Sequence, residues 1–265
     1  MLKIKMNNYF FKHIILFSLS LNLLSENIGQ PGELFAIKVD INNFDETTSF
    51  IKINDSFYKL VPLSYLNQGE YVEFNNSRIF IQKKDFGESR ITITNNALVN
   101  LSDQDRERTI KESSIIKKAL QSYSKEMIPK FDFINPVQGI ISSRYGKKRF
   151  INDSPRSPHL ALDIAAPEGT TVFAPEDGKI ILIGNFFYSG NFIVIDHGRG
   201  LISSYSHLSS VSVSEGDILN KGQKIGEVGS TGRVTGPHLH WTVYYEKIRI
   251  NPESLIKDGY LKTLL

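Results

Sequence analysis

Between residues 32 and 100, apolar and polar residues alternate with a period of two. In LFAIKVDI, which begins at Leu34, every second residue from Phe35 onwards is large and apolar. Further stretches follow the same rule between breaks rich in Asn, Asp and Gly: SFIKI, EYVEF, RIFIQ and RITIT. This period predicts β-strands, so we expect a small β domain over residues 32–100. Its residues do not reveal whether this is a binding domain, a spacer or an inhibitory domain.

The pattern becomes helical after residue 100. Ser102 is a suitable N-cap, and two aspartates follow in the first turn, where carboxylates favour the positive end of a helix. Four apolar residues then recur on one helical face: Ile116, Leu120, Tyr123 and Met127. Pro129 cannot continue the helix. We therefore predict one helix over SDQDRERTIKESSIIKKALQSYSKEM, which forms a connector at residues 101–130.

The chain returns to a β pattern from residue 131 onwards, now with many glycines. Strand-like stretches such as GKIILIG, NFIVIDHG and LISSYSHL alternate with turns such as GRG, EGD, KGQ and TGP. Closely spaced turns of this kind indicate antiparallel strands joined by tight hairpins. The predicted fold is therefore mainly β, with a small N-terminal β domain, a connecting α-helix and a C-terminal glycine-rich antiparallel β domain over residues 131–265.

Residues 1–25 have the composition of a targeting segment. Three lysines precede an apolar run at residues 14–24, about half the length of roughly 20 residues that a membrane-spanning helix needs. This layout predicts a secretory signal peptide, although Leu23-Leu24-Ser25 lacks the small residues of a usual cleavage site. An uncleaved anchor in the inner membrane is the alternative. Both interpretations imply export to the periplasm or cell envelope.

The charge and the cysteine content of the chain exclude several classes of binding site. The net charge is +3 and the basic residues are spread along the chain, so no nucleic-acid partner is predicted. The sequence has no cysteine, which excludes disulfides and thiolate metal sites. Histidine and carboxylate groups are therefore the main candidates for chemistry.

Five of the six histidines lie in the predicted C-terminal domain: His159, His197, His207, His238 and His240. His238 and His240 are two residues apart in a strand-like stretch, so their imidazoles should project from the same face. We expect His159 to lie in a loop that leads into a strand carrying Asp163. Zinc accepts imidazole and carboxylate ligands, and three protein ligands would leave one coordination position for water.

The order and spacing of these motifs resemble those of a known family. H-x-x-x-D at His159 and Asp163, Y-x-H-L at residues 205–208 and H-x-H at His238 and His240 are similar to the motifs of the M23 zinc metallopeptidases, the lysostaphin/LytM-type peptidoglycan hydrolases. The resemblance covers about residues 135–256 and includes LDIAAPEGTTVFAPEDGKI, VIDHGRGLISSYSHL and NPESLI. The preceding β region and helix loosely resemble the N-terminal parts of exported Gram-negative-type members.

This resemblance implies one Zn²⁺ per chain on His159, Asp163 and His240. It implies that His207 and His238 are catalytic residues that do not bind metal, one taking a proton from water and the other stabilising the oxyanion, in an unassigned order. The implied function is an exported zinc metalloendopeptidase that cleaves peptide cross-links or stem peptides of bacterial peptidoglycan. A carboxypeptidase of the same family that acts on the same stem peptides is a closely ranked alternative. The alternative of another class is a non-catalytic M23-like regulator that binds and activates other cell-wall hydrolases.

Other residues of the C-terminal region receive structural interpretations. We expect His197 to stabilise a hairpin by a hydrogen bond. Tyr205 is two residues before His207, so on a regular strand both side chains would share a face. Lining a substrate groove and packing in the core are then equal alternatives for Tyr205. For Arg144 and Tyr145, surface packing is favoured over contact with substrate. The oligomeric state is left open.

Overall fold

The computed structural model describes residues 27–40, 50–74, 76–94 and 100–265. The predicted leader over residues 1–25 lies outside the described residues. Within those four ranges, no helix is long and apolar enough to cross a membrane.

The N-terminal region forms short strands, numbered in chain order: β1 (Asn27–Gly29), β2 (Leu34–Val39), β3 (Ile51–Ile53), β4 (Ser56–Pro62), β5 (Tyr71–Phe74), β6 (Ser77–Ile81) and β7 (Glu88–Ile91). One antiparallel sheet has the order β2-β4-β3, and a second has the order β1-β6-β5 with β1 parallel to β6. A short 3-10 helix at Tyr65–Asn67 lies between β4 and β5. Each of the five predicted stretches contains or overlaps one of these strands.

Within residues 32–100, the strand that pattern analysis missed is β4, the centre of its sheet. Leu60 and Val61 are adjacent and both buried, Leu60 in the main hydrophobic core and Val61 in a second core with Ile79 and Ile81. Neighbouring strand residues point to opposite faces. A strand covered on both faces does not alternate between apolar and polar residues, and for that reason β4 escaped the period-two rule.

Helix α1 (Asp103–Leu120) begins as predicted and ends early. The Ser102 hydroxyl accepts a hydrogen bond from the Asp105 main-chain N–H at 3.1 Å, which confirms the N-cap. The predicted extension to residue 127 is wrong. The chain after the helix is held by tertiary contact instead, because the Arg199 N–H donates to the Ser124 carbonyl at 2.7 Å.

The C-terminal region contains the remaining elements: β8 (Ile140–Ser143), β9 (Lys147–Ile151), β10 (Ser154–His159), β11 (Leu162–Ala165), β12 (Thr171–Phe173), β13 (Gly178–Phe186), β14 (Gly190–Gly198), β15 (Leu201–Val211), β16 (Ile218–Leu219), β17 (Lys224–Val228), β18 (His238–Tyr245), β19 (Ile248–Ile250) and the short helix α2 (Pro252–Leu255). The main sheet is antiparallel, with the order β16-β13-β14-β15-β18-β11-β8. Strands β12 and β17 pair with each other, β17 also pairs with β15, and β19 pairs with β18. A 3-10 helix at Tyr260–Leu264 follows.

The core of this sheet is formed by the residues that alternate with the motif histidines. Leu239, Trp241 and Val243 of β18 are fully buried, and they pack with Leu162 and Ile164 of β11. Residues of the N-terminal region belong to the same core, among them Leu34, Ile51, Ile53 and Leu60. The apolar face of this part of the main sheet is therefore covered, and its other face is left for the site.

A third sheet connects the N-terminal region to the C-terminal one. Its order is β10-β9-β7, with β9 and β10 antiparallel and β7 parallel to β9. The turn between β9 and β10 consists of Asn152 and Asp153, both with positive φ, as a two-residue type I′ hairpin requires. His159 is the last residue of β10 and not a loop residue, which corrects the expectation from its flanking prolines.

Candidate metal centre

The register of the main sheet places Asp163 and His240 opposite each other. They are direct partners between the antiparallel strands β11 and β18, and Ala165 faces His238 in the same ladder. Residues directly opposite on antiparallel strands share a face of the sheet. The side chains of Asp163, His238 and His240 therefore project from the face away from the core.

His159 reaches the same place from the end of β10. Its Nε2 lies 2.9 Å from Asp163 Oδ1 and 3.4 Å from His240 Nδ1, and His240 Nδ1 lies 2.6 Å from Asp163 Oδ1. One ligand atom from each of the three residues lies within 4.8 Å of the others. His159 and Asp163 are buried, whereas His240 is half-buried and borders a groove. Two imidazole nitrogens and one carboxylate oxygen are a donor set that suits zinc.

The outer nitrogen of His159 is held by the main chain. His159 Nδ1 lies 3.1 Å from the Arg144 carbonyl oxygen, which can only accept, so Nδ1 carries the proton. The lone pair of the neutral ring is then on Nε2 and faces Asp163. Fixing the outer nitrogen in this way sets the tautomer and the orientation that a metal-binding histidine needs.

Asp163 is kept as a carboxylate by its neighbours. Burial alone would raise its pKa, but the nearby His240 and His159, through charge and hydrogen bonds, hold the pKa of Asp163 well below its usual range. An ionised carboxylate is the form that binds a cation.

His207 enters the site through a break in the regular pattern of β15. Its φ is 68°, and Ser206 and His207 together oppose Phe192 between the pairs Asn191↔Leu208 and Ile193↔Tyr205. Two residues opposite one define a β-bulge, which re-aims the side chains beyond it. His207 therefore lines the groove together with Ser206, its neighbour in sequence.

The bulge also overturns the expectation that Tyr205 and His207 share a face. Tyr205 is fully buried in the core, and its hydroxyl lies 2.8 Å from Ser203 Oγ. Of the two alternatives for Tyr205, the structure shows packing. The period-two rule is wrong here because it assumes a strand without left-handed residues.

His207 and His238 form a pair beside the three candidate metal ligands. Their ring centroids are 4.9 Å apart, and the rings of His207 and His240 are 5.8 Å apart. His207 Nδ1 donates to the Thr231 carbonyl and His238 Nδ1 donates to the Gly236 carbonyl, each at 2.9 Å. In the neutral ring each Nε2 is then the acceptor. Burial, with smaller contributions from His240 and His238, lowers the pKa of His207 to about 3.

The Thr231 carbonyl that orients His207 belongs to a tightly held loop. Thr231 Oγ1 donates to the Leu208 carbonyl at 2.8 Å and accepts from the Asn191 N–H at 2.9 Å. Gly190 has a φ of 62°, and a Cβ built at this position would overlap the Thr231 hydroxyl and carbonyl. A glycine is thus required where this loop meets the start of β14.

The remaining sequence candidates have structural positions. His197 is buried, with Nδ1 donating to the Asp177 carbonyl and Nε2 bonded to Ser203 Oγ, both at 2.7 Å. Tyr145 is buried and its hydroxyl donates to the Arg249 carbonyl at 3.0 Å. Arg144 forms an ion pair with Glu253. The structure thus shows structural contacts for all three: buried hydrogen bonds for His197 and Tyr145, and a surface ion pair for Arg144. Tyr145 lies in the interior and not at the surface as expected.

The site borders a groove of about 480 Å³ with walls from separate parts of the chain. The C-terminal region contributes Asp163, His207, His238 and His240. Strand β7 and the residues after it contribute Ser89, Ile91 and Ile93, and α1 contributes Ile116 and Leu120. Three arginines that sequence patterns did not single out also line the groove: Arg149, Arg233 and Arg249. They are far apart in sequence, and no spacing rule connects them.

Comparison with known proteins gives one consistent family. Residues 157–252 match the model of Peptidase family M23. Peptidoglycan DD-endopeptidase ShyA of Vibrio cholerae is 40% identical over 118 residues, which cover 44% of this chain and 27% of that protein. DD-carboxypeptidase/endopeptidase Mpg of Neisseria meningitidis is 44% identical over 97 residues, which cover 37% of this chain and 22% of that protein. The chain therefore spans about a quarter of the length of these relatives.

A solved structure extends the likeness beyond the matched segment. A crystal structure from Pseudomonas aeruginosa, described as a peptidase M23, superimposes with a TM-score of 0.61 at 28% identity. The superposition covers 79% of this chain and 83% of that chain. The shared fold thus includes part of the chain that precedes residue 157.

Proposed function

We propose that the chain is a member of peptidase family M23, through the domain that includes residues 157–252, and that it is a zinc metallopeptidase that hydrolyses peptide bonds of bacterial peptidoglycan. The observation that carries the proposal is the convergence of His159, Asp163 and His240 beside two further histidines in one groove. The names of the relatives support the substrate class, since they act on peptidoglycan as DD-endopeptidases or DD-carboxypeptidases.

In this proposal His159, Asp163 and His240 would hold Zn²⁺. When bound, the ion would supply Lewis acidity toward a water molecule and the scissile carbonyl group. The chain's own contribution is to keep His159 in the tautomer described above and Asp163 ionised. Arg144 and Thr231 thereby orient the site through their carbonyl oxygens.

His207 and His238 are the proposed catalytic residues that do not bind metal. Each ring is anchored by Nδ1, so each Nε2 is available to accept a proton or, once protonated, to donate a hydrogen bond to the oxyanion of the tetrahedral intermediate. General acid–base assistance of this kind typically contributes a factor of about 10² to 10⁴ in rate.

The test is hydrolysis of purified cell-wall sacculi by the protein loaded with one equivalent of zinc. We expect soluble muropeptides, with conversion of cross-linked species into uncross-linked ones if the enzyme is an endopeptidase. Loss of a terminal residue from uncross-linked stems would instead identify a carboxypeptidase. No cleavage by fully loaded protein would contradict the proposal, and His159→Ala serves as the control without the ligand set.

Export is the second part of the proposal. Its support is the basic and apolar composition of residues 1–25 together with the cell-wall substrates of the relatives. Expression in a Gram-negative host followed by fractionation should place the protein in the periplasm or at the outer side of the inner membrane. N-terminal sequencing of the recovered protein then decides between a cleaved signal peptide and a retained anchor. Recovery of the full-length protein in the cytosol alone would contradict export.

A further inference from the structure

Three guanidinium groups converge on the groove from different strands and loops. Arg149 lies on β9, Arg233 lies in the loop before β18, and Arg249 lies on β19. Within the described part of the chain, no aspartate or glutamate forms an ion pair with any of the three. Among the residues that the structure describes, Asp163 is the one carboxylate that lines the groove, and the proposed metal site uses it. The groove thus has an excess of positive charge on one substrate-facing surface.

Arg149 is the least compensated of these groups. Its Nε is buried and has no hydrogen-bond partner among the described residues. Its direct neighbour across the antiparallel ladder is another arginine, Arg156, and like charges at opposite positions are destabilising. Burial lowers the pKa of Arg149, whereas the charge of Asp163 raises it. The guanidinium therefore interacts electrostatically with the carboxylate of the proposed metal site. A buried donor without a partner costs free energy, and no carboxylate of the described residues pairs with this guanidinium, so a carboxylate bound in the groove would supply the missing partner.

Arg233 is placed with the same precision as the catalytic histidines. Its guanidinium stacks 4.1 Å from the centre of the Tyr188 ring, and its main-chain N–H donates to the Tyr188 carbonyl at 3.0 Å. Arg233 is two residues after Thr231, whose carbonyl orients His207. Arg249 is anchored by a 2.8 Å hydrogen bond from Nε to the Tyr244 hydroxyl. Arg233 and Arg249 are therefore held in position around the groove by neutral partners.

We propose that Arg149, assisted by Arg233 and Arg249, binds a free carboxylate of the substrate peptide and so selects peptides that carry this group near the scissile bond. The planar guanidinium binds a carboxylate through two parallel hydrogen bonds, and such charge-assisted pairs are stronger than neutral ones. The inference rests on the proposed peptidase function and adds the chemical feature that the enzyme selects and the residues that select it. Arg149 lies outside the segment that matches the family model.

The test compares two synthetic cross-linked stem peptides that differ in one group, a free carboxylate or its carboxamide at the position next to the cleaved bond. Wild-type protein loaded with zinc should prefer the carboxylate by about 10- to 100-fold in kcat/KM, mainly through KM. Arg149→Gln should reduce this preference to near unity. Arg149→Lys should restore only part of it, because an ammonium group cannot form the two parallel hydrogen bonds.

Arg90→Gln is the matched control. Arg90 lies on β7 between Ser89 and Ile91, which both line the groove. Its own guanidinium forms ion pairs with Glu88 and Asp153 and stacks on the Phe150 ring. Its substitution should leave the preference unchanged. The thermal midpoint of Arg149→Gln should be no lower than that of the wild type, since the change removes an unpaired buried group. A variant that loses stability but keeps the preference would indicate a purely structural role and overturn the proposal.

Binding to the metal-free protein separates this inference from the proposed function. We expect the metal-free wild type to bind the carboxylate peptide at least about 10-fold more tightly than the carboxamide, and Arg149→Gln to bind both alike. Equal binding and equal cleavage of the two peptides by the wild type would overturn the role of the arginines while leaving the peptidase function intact. Selective, Arg149-dependent binding without any cleavage by the zinc-loaded protein would have the opposite meaning: the carboxylate subsite stands and the peptidase function fails.

Discussion

The imidazole of His207 donates from Nδ1 to the main-chain carbonyl of Thr231 over 2.9 Å, and it does so from a residue with left-handed backbone geometry. The partner carbonyl is held in place by the contacts of Thr231 with Leu208 and Asn191. The orientation of a proposed catalytic group is thus set by a loop more than 20 residues away in sequence, since the two residues are separated by 24 positions.

Substitution of Gly190 should disturb this orientation. In Gly190→Ala the new methyl group overlaps Thr231, and the residue also takes a φ of 62° that costs an alanine about 1 to 2 kcal/mol. We expect a lower thermal midpoint and a lower kcat. Gly216→Ala is the matched control, since Gly216 has a φ of 95° and no atom within 4 Å of the added Cβ. It should show the backbone strain without the loss of kcat, and equal loss in both variants would contradict the role of the loop.

His207 itself should be replaceable by asparagine without loss of the metal. Asparagine tolerates the left-handed conformation better than alanine does, so His207→Asn keeps the backbone of the bulge. Zinc content should stay at one equivalent, while kcat should fall by about 10² to 10⁴. Metal analysis and muropeptide release on the same samples check the prediction. Loss of zinc in this variant would show that His207 is a ligand and not a catalytic base or acid.

Substitution of a proposed metal ligand should, in contrast, remove the bound zinc together with the activity. His159→Ala should lose the bound zinc and all cleavage, because the remaining two donors leave the site incomplete. His197→Ala is the contrasting variant. It breaks two buried hydrogen bonds and should reduce the free energy of unfolding by an amount on the order of 2 to 4 kcal/mol, yet keep one equivalent of zinc. Zinc lost from His197→Ala at a temperature where the protein is folded would contradict this division.

Glu176 should make a contribution to stability that decreases between about pH 4 and pH 7. Burial raises the pKa of this carboxyl to about 7, although the main-chain N–H of Lys130 donates to it and lowers the pKa. An unfolded glutamate titrates near pH 4.3, so in this window the folded state binds the proton more tightly than the unfolded state. Stability contributed by the neutral carboxyl is therefore present at low pH and lost as pH rises to about 7, by roughly 3 kcal/mol in total.

Glu176→Gln provides the measurement. The amide has no proton to lose, so its free energy of unfolding, obtained from denaturant titrations, should lack this decline. His197 acts in the opposite direction, because burial lowers its pKa to about 4 and its contribution is lost as the pH falls. The difference between wild type and Glu176→Gln at each pH removes the His197 contribution. A pH-independent difference would contradict the raised pKa.

The positions of Asp163, His238 and His240 followed from the sequence because their strands are regular. Alternation along β18 placed Leu239 and Trp241 in the core and the histidines on the other face, as the structure shows. The three proposed zinc ligands were named from the resemblance of the motifs to those of family M23, without knowledge of distant contacts. The mainly β fold, the N-cap of α1 and most of the N-terminal strands followed from the same local rules.

Other features depended on contacts that no local pattern encodes. His207 faces the groove only because of the bulge in β15, and a left-handed histidine has no signature in the sequence. Helix α1 stops at Leu120 although its apolar period continues, because the following residues bind the turn after β14. The arginines of the groove come from β9, a loop and β19, and only the folded chain brings them together.

The parallel pairing of β7 with β9 has a practical consequence for attempts to isolate the chemistry of this chain. Excising residues 157–252 as an independent fragment would preserve the proposed metal ligands and both neighbouring histidines, yet remove Ser89, Ile91 and Arg149 from the groove. Such a fragment would keep the side chains proposed for the reaction but would lose one wall of the groove that is proposed to bind the peptide. Chimaeras that exchange residues 88–151 between relatives are therefore the natural way to redirect which peptides this scaffold accepts.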